Sequence, residues 1–159
     1  MLILWWQANV VVKRQRAHLT EYGLHSIYSD PGLTDAKTPG AEDMSRWLAP
    51  EIVNPTSGSL VKKITKQGDV FAFGMVAFEI FSGQVPFSGS KAEDAVLKIN
   101  KGKRPDIQTL GLTSGRKKLI QSCWDRNPKK RPTMEHVVKQ LREPEGEAEP
   151  KAFCGIFWS

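Results

Sequence analysis

The chain has 159 residues, 40% hydrophobic and 25% charged, enough for one domain with its own core. Its 23 Lys and Arg against 17 Asp and Glu leave a net charge of +6. The basic residues fall in short clusters (Lys62-Lys63, Lys101-Gly102-Lys103-Arg104, Arg116-Lys117-Lys118, Lys129-Lys130-Arg131) at expected loops and helix ends, with no interleaved aromatics, which argues against nucleic acid as a partner.

The two cysteines, Cys123 and Cys154, form no pair motif, and His18, His25 and His136 are scattered. Neither a disulfide framework nor a metal cluster is expected, which suits a reducing compartment. The opening Met1-Leu2-Ile3-Leu4-Trp5-Trp6 is apolar but lacks the basic start and small-residue cleavage site of a signal peptide. A cytoplasmic or nuclear location follows, with no membrane association.

Val10-Val11-Val12 is a β-branched run that Arg16-Ala17-His18-Leu19-Thr20 can pair with, predicting a small hairpin. Residues 23–46 carry Ser, Asp, Pro, Thr and Gly without periodicity, the signature of a long loop, and long ordered loops tend to be functional. Ala49-Pro50-Glu51 follows, then a polar connection through Asn54-Pro55-Thr56-Ser57-Gly58.

Residues 70–81 carry one charge, Glu79, and no polar face at helical spacing. A helix that is apolar all round must be buried on every side. At roughly 1.5 Å per residue it is far too short to cross a hydrocarbon core of about 30 Å, so it reads as the central helix of a soluble domain. Asp69 is placed to cap its start, Gly83 to stop it in a left-handed turn, and Pro86 to prevent resumption.

Ser90-Lys91-Ala92-Glu93 reads as a capping box. Ala92, Ala95, Val96 and Ile99 follow at amphipathic spacing, and Gly102 and Pro105 end that helix. A further helix is expected over 114–124, burying Leu119, Ile120, Cys123 and Trp124, and Thr133 is placed to cap a last one with the stripe Met134, Val137, Val138 and Leu141. Residues 143–150 are acidic and proline-containing and read as a disordered tail that runs to an apolar end at 153–158. The organisation is thus one domain over 1–142 and a tail over 143–159.

Three motifs stand in one order: Arg46-Trp47-Leu48-Ala49-Pro50-Glu51, then Asp69-Val70-Phe71-Ala72-Phe73-Gly74, then Cys123-Trp124-Asp125-Arg126-Asn127-Pro128 running into Arg131-Pro132-Thr133. Jointly they resemble the C-terminal lobe of eukaryotic protein kinases, and their wording is most similar to the tyrosine-kinase-like branch of Ser/Thr kinases. The resemblance covers about residues 9–141. It implies a mainly α fold: a kinase-like C-lobe with a small β-hairpin, a buried central helix and peripheral amphipathic helices, without the nucleotide lobe. It also implies a structural pair between Glu51 and Arg131, whose planar fork suits a buried carboxylate. Asp69 is implied to accept from catalytic-loop backbone amides, and Trp47, Leu48 and Ala49 to line the substrate platform.

The resemblance breaks at the chemistry. The family's catalytic loop reads His-Arg-Asp-Leu-Lys-x-x-Asn; Asn9 fits its end, but Leu2, Ile3 and Leu4 occupy the His, Arg and Asp places and Trp6 the Lys place. Leu4 has no lone pair to accept a proton, where positioned acid–base groups are typically worth about 10²–10⁴-fold in rate. The metal-binding Asp-Phe-Gly becomes Glu21-Tyr22-Gly23. Asn9 and Glu21 remain as weak Mg²⁺ ligands, the extra methylene displacing the carboxylate by on the order of 1 Å, which can cost about 10²-fold. No Gly-rich loop, strand lysine or partner glutamate for ATP is present. MgATP is the family's cofactor, yet tight binding here is not expected. The expectation is an incomplete, inactive kinase domain whose residues 1–6 replace the true catalytic loop. The alternative is a pseudokinase-type module that meets a protein partner through the helix after Ser90.

Overall fold

A computed structural model of the chain describes residues 10–13, 16–19, 45–53 and 65–143. The β-branched run forms strand β1 (Val10–Lys13), antiparallel to β2 (Arg16–Leu19), with Val10 opposite Leu19 and Lys13 opposite Arg16. The expected hairpin is therefore present.

Two short elements follow that composition did not foretell. Ser45–Trp47 forms a 3₁₀ turn, and Pro50–Val53 forms helix α1. Proline suits the first turn of α1 because its missing N–H is an orphan there in any case.

Helix α2 spans Lys66–Ser82 and opens earlier than its apolar run. Thr65 is the N-cap, extended in backbone, and its hydroxyl accepts from the Gly68 amide at 3.0 Å. Asp69 is consequently not the cap but a residue of the first turn. The apolar pattern misplaces the start because Lys66 and Gln67 are exposed and add nothing to the buried run. At the other end Gly83 is left-handed (φ 68°) and its N–H bonds to the Glu79 carbonyl at 2.8 Å, the stop expected of a glycine after a helix.

Phe71, Met75 and Phe78 of α2 pack with Trp47, Ala49, Ile99, Ile107, Ile120 and Trp124 in the main core. A second cluster joins Val70 to Leu119, Cys123 and Val137. Gly74 permits the close approach between α2 and the segment carrying Cys123, since a Cβ there would lie 3.1 Å from that of Cys123.

Helix α3 spans Ala92–Asn100 and buries Ala95 and Ile99. The capping box read at Ser90 does not form: Lys91 is the N-cap and makes no side-chain cap bond. The Ser90 hydroxyl instead takes the Lys98 ammonium, and its carbonyl accepts from Arg46. A serine already committed to tertiary partners is not available to its own helix. Gly102, with φ 82°, follows the helix end.

Helix α4 (Ser114–Cys123) is capped by Thr113, whose hydroxyl accepts from the Arg116 amide, and it buries Leu119, Ile120 and Cys123 with Trp124 just beyond. After a 3₁₀ turn at Pro128–Lys130, Thr133 caps helix α5 (Met134–Arg142). Of the α5 stripe only Val137 is fully buried; Met134 and Leu141 are half-buried and Val138 is exposed. The acidic stretch and the apolar end lie outside the described residues. Among the described residues no helix is long and apolar enough to cross a membrane. The described architecture is mainly α, arranged around the buried α2.

Candidate functional site

The segment that carries Trp47, Leu48 and Ala49 is fastened to the helical core at three points. At the first, Arg46 is buried and its guanidinium donates to the carbonyls of Pro86 (3.2 Å), Phe87 (3.0 Å) and Ser90 (2.7 Å). Backbone carbonyls at a turn need donors, and one planar fork serves three of them.

At the second point the Trp47 indole N–H donates to Oε2 of Glu79 at 3.0 Å. Glu79 is 3% exposed, and burial raises its pKa above the usual carboxylate range, while the Trp47 hydrogen bond offsets part of that rise. The one charge of the apolar 70–81 run thus has a partner waiting in the preceding segment.

At the third point Arg131 grips Glu51 through both arms, Nη1 to Oε1 at 2.6 Å and Nη2 to Oε2 at 2.9 Å. The same guanidinium donates to the carbonyls of Gln67 (2.9 Å) and Asp125 (2.8 Å). Widely separated segments therefore converge on one cation. Arg131 also lies 5.0 Å from the centre of the Phe71 ring, and Arg104 lies 4.9 Å from it. Arg104 donates to the carbonyls of Trp124 (2.8 Å) and Ile99 (3.1 Å). Burial, reinforced by the neighbouring Arg131 cation, lowers its pKa to about 10. The basic cluster around Arg104 is therefore not all solvated surface: its arginine is half-buried against an aromatic face.

The residues singled out from sequence separate into four groups. Glu51 and Arg131 are brought together. Trp47 and Ala49 are core residues, 1% and 0% exposed, and Leu48 beside them is half-buried. Asp69 is half-buried in the first turn of α2, and burial raises its pKa; the catalytic-loop amides expected to bond it lie outside the described residues. Asn9, Glu21 and Leu4 also lie outside them. The described residues hold no group of three His, Cys, Asp or Glu able to bind a metal. What they build is a short segment, residues 46–51, braced to the helical core at three points.

Motif reading assigns no role to Arg46, Glu79 or Arg104. Glu79 has a signal, being the lone charge in an apolar run, and Arg46 stands next to Trp47 in a motif. Arg104 has none, because its partners are main-chain carbonyls.

The profile of the family described as protein tyrosine and serine/threonine kinase matches residues 7–141. A light-sensor protein kinase of Ceratodon purpureus is 31% identical over 153 residues, covering 84% of this chain and 12% of that protein. The dual specificity protein kinase shkD of Dictyostelium discoideum is 31% identical over 141 residues, covering 86% of this chain and 17% of its own. The serine/threonine-protein kinase VIK of Arabidopsis thaliana is 27% identical over 124 residues, with coverages of 77% and 27%. The chain thus spans well under a third of each of these relatives. With a profile match over most of its length, and with the Glu51–Arg131 clasp bracing a buried α2, this chain belongs to the protein tyrosine and serine/threonine kinase family.

Proposed function

We propose that this polypeptide is a kinase-domain segment that does not itself transfer phosphate. One observation carries the reading: Leu4 stands where the family places the Asp that receives the proton of the attacking hydroxyl. That place is counted back from Asn9 and precedes residue 7, where the profile match begins. A leucine has no lone pair, and no other side chain nearby in sequence replaces it. The family transfers the γ-phosphoryl group of MgATP to Ser or Thr of proteins; the finer properties of this chain are proposed against that background. Any substrate platform here works through Leu48 and the backbone, since the Trp47 and Ala49 side chains face the core.

Incubation of the purified chain with radiolabelled MgATP and a generic protein acceptor should give no transfer above a no-enzyme control. MgATP should also leave the melting temperature unchanged, because a ligand that binds the native state raises it by mass action. Turnover that survives repurification would overturn the proposal.

A second reading is favoured by the surface of α3. Leu97 is 52% exposed there, flanked by exposed Glu93, Asp94 and Lys98. An apolar residue ringed by charges on a well-anchored helix suits a protein interface. In this reading the segment is a pseudokinase-type interaction module. Leu97→Asp should abolish capture of a stoichiometric partner while leaving stability within about 0.5 kcal/mol of wild type, as exposed substitutions usually do.

A further inference from the structure

Basic stretches that stand apart along the chain meet in space. Arg104 reaches from the turn after α3 to the end of α4, where its Nε donates to the Trp124 carbonyl at 2.8 Å. That bond sets residues 102–108 beside residues 121–126, and the two stretches enclose a cleft of about 490 Å³ lined by Arg104, Asp106, Gln108, Gln121, Trp124 and Arg126. Ligand sites commonly span about 300–1,000 Å³. Arg126 is exposed, as are Lys101 and Lys103 on the flank.

One guanidinium of the cleft is already held in place. Its Nε serves Trp124, and its Nη1 serves the carbonyls of Ile99 (3.1 Å) and Lys103 (2.7 Å). Nη2 makes no hydrogen bond among the described residues. No buried side-chain nitrogen or oxygen there lacks a partner, so Nη2 is open to solvent. A cation fixed by three carbonyls has little rotamer freedom left to lose when it meets an anion. Burial, then the neighbouring Arg131 and Arg126 cations, pull the Arg104 pKa down, with Asp125 and Glu51 opposing. An anion set between these like charges relieves their repulsion.

The carboxylates nearby are partly engaged. Asp106 Oδ1 accepts from the Gln108 amide at 2.8 Å, and Asp125 Oδ1 from the Asn127 amide at 2.7 Å. Lys101, Lys103, Arg104 and Arg126 outnumber them, so the excess charge is positive. Its distribution selects the occupant. Asp106 in the wall repels the successive phosphates of a nucleic acid, and Trp124, only 4% exposed, offers no ring for a base to stack on. A phosphorylated side chain carries its charge and three acceptor oxygens on one compact group, which arginine forks pair with bidentately. The Gln108 and Gln121 amides are then available to the flanking peptide backbone.

We propose that the cleft between the turn after α3 and the end of α4 binds a phosphorylated serine or threonine of a protein partner, its phosphoryl group lying between Arg104 and Arg126. The inference depends neither on whether this chain transfers phosphate nor on the Leu97 face of α3.

The test uses the full chain and three fluorescein-labelled peptide pools, degenerate around a central residue fixed as phosphothreonine, threonine or glutamate. Binding is read by anisotropy at about 0.15 M salt, where surface attraction is screened beyond about 8 Å. The phosphothreonine pool should bind saturably and about tenfold more tightly than either of the others. Arg126→Ala removes one guanidinium from an exposed position, and Gln121→Glu adds a repelling carboxylate at another. Each should weaken binding about tenfold. Lys139→Ala, an exposed charge on α5, should leave it unchanged. Inorganic phosphate should displace the pool only at concentrations far above the pool's own Kd, because it lacks the flanking peptide. Equal binding of the phosphothreonine and glutamate pools, either cleft variant binding as wild type, or an equal loss in Lys139→Ala would overturn the proposal. So would displacement by inorganic phosphate near the pool's Kd, or tighter binding of a labelled single-stranded oligonucleotide that Arg126→Ala abolishes.

Discussion

Removing Glu51 should be among the most damaging single changes available to this chain. The Arg131 side chain is fully enclosed, with 0% of its surface exposed, while that of Glu51 is 30% exposed. Glu51→Ala therefore strands a guanidinium in the interior with two carbonyls, those of Gln67 and Asp125, and the Phe71 ring as its remaining company. Breaking a buried pair from one side typically costs about 3–5 kcal/mol. The partial hydration of Glu51 and the surviving carbonyl bonds place this case at the lower end, about 3 kcal/mol. With a urea slope of ~2 kcal/mol/M, the midpoint should fall by about 1.5 M. The five tryptophans supply the fluorescence signal, and two of them, Trp47 and Trp124, sit in the core. Replacing both partners by apolar residues of similar size, Glu51→Leu with Arg131→Met, should recover much of the loss, since no uncompensated charge remains. A Glu51→Ala variant within about 0.5 kcal/mol of wild type, the range of ordinary surface changes, would refute the reasoning.

Glu79→Gln keeps an acceptor for Trp47 but cannot ionise. Burial holds the folded-state pKa of Glu79 above its ordinary value of 4.5, so the folded protein holds the proton more tightly than the unfolded chain does. Stability from this group is complete below that value and is lost as pH rises through the folded pKa. The Gln variant should accordingly gain melting temperature relative to wild type as pH increases from about 4 towards neutrality, and a constant offset across that range would contradict the assignment. Gly74→Val should destabilise by about 1–3 kcal/mol in urea titration, because the added carbons meet the Cys123 Cβ and the Ile120 carbonyl in a closed contact. Wild-type-like stability would mean that α2 and α4 can separate freely. In a Cys154→Ser background, Cys123 should resist thiol reagents in native buffer and react at once in denaturant, as a buried thiol with a pKa of about 12 must.

The parts of this protein that could be read from its residues share a physical origin. The buried rod of α2 declares itself because a long run with one charge leaves a helix no face for water. The stops at Gly83 and Gly102 are local as well: both adopt positive φ, a conformation most side chains avoid. Thr133 likewise caps α5 from within its own turn. Ser90 shows the opposite case. Its spacing to Glu93 satisfies the local rule, yet Arg46 and Lys98 claim its oxygens first. Arg104 was equally illegible, because a guanidinium that bonds main-chain carbonyls leaves no complementary side chain in the sequence.

The sequence by itself determined the central helix, the helical stops, the hairpin pairing and the family whose motifs these are. All of these depend on neighbours a few positions away or on motif order. Tertiary structure alone decided that Trp47 answers the buried Glu79 and that two arginines flank Phe71. These outcomes depend on which groups from distant segments reach a shared interior first. A desolvated charge or carbonyl takes whatever partner the packed chain brings within hydrogen-bonding distance, and separation along the sequence carries no record of that.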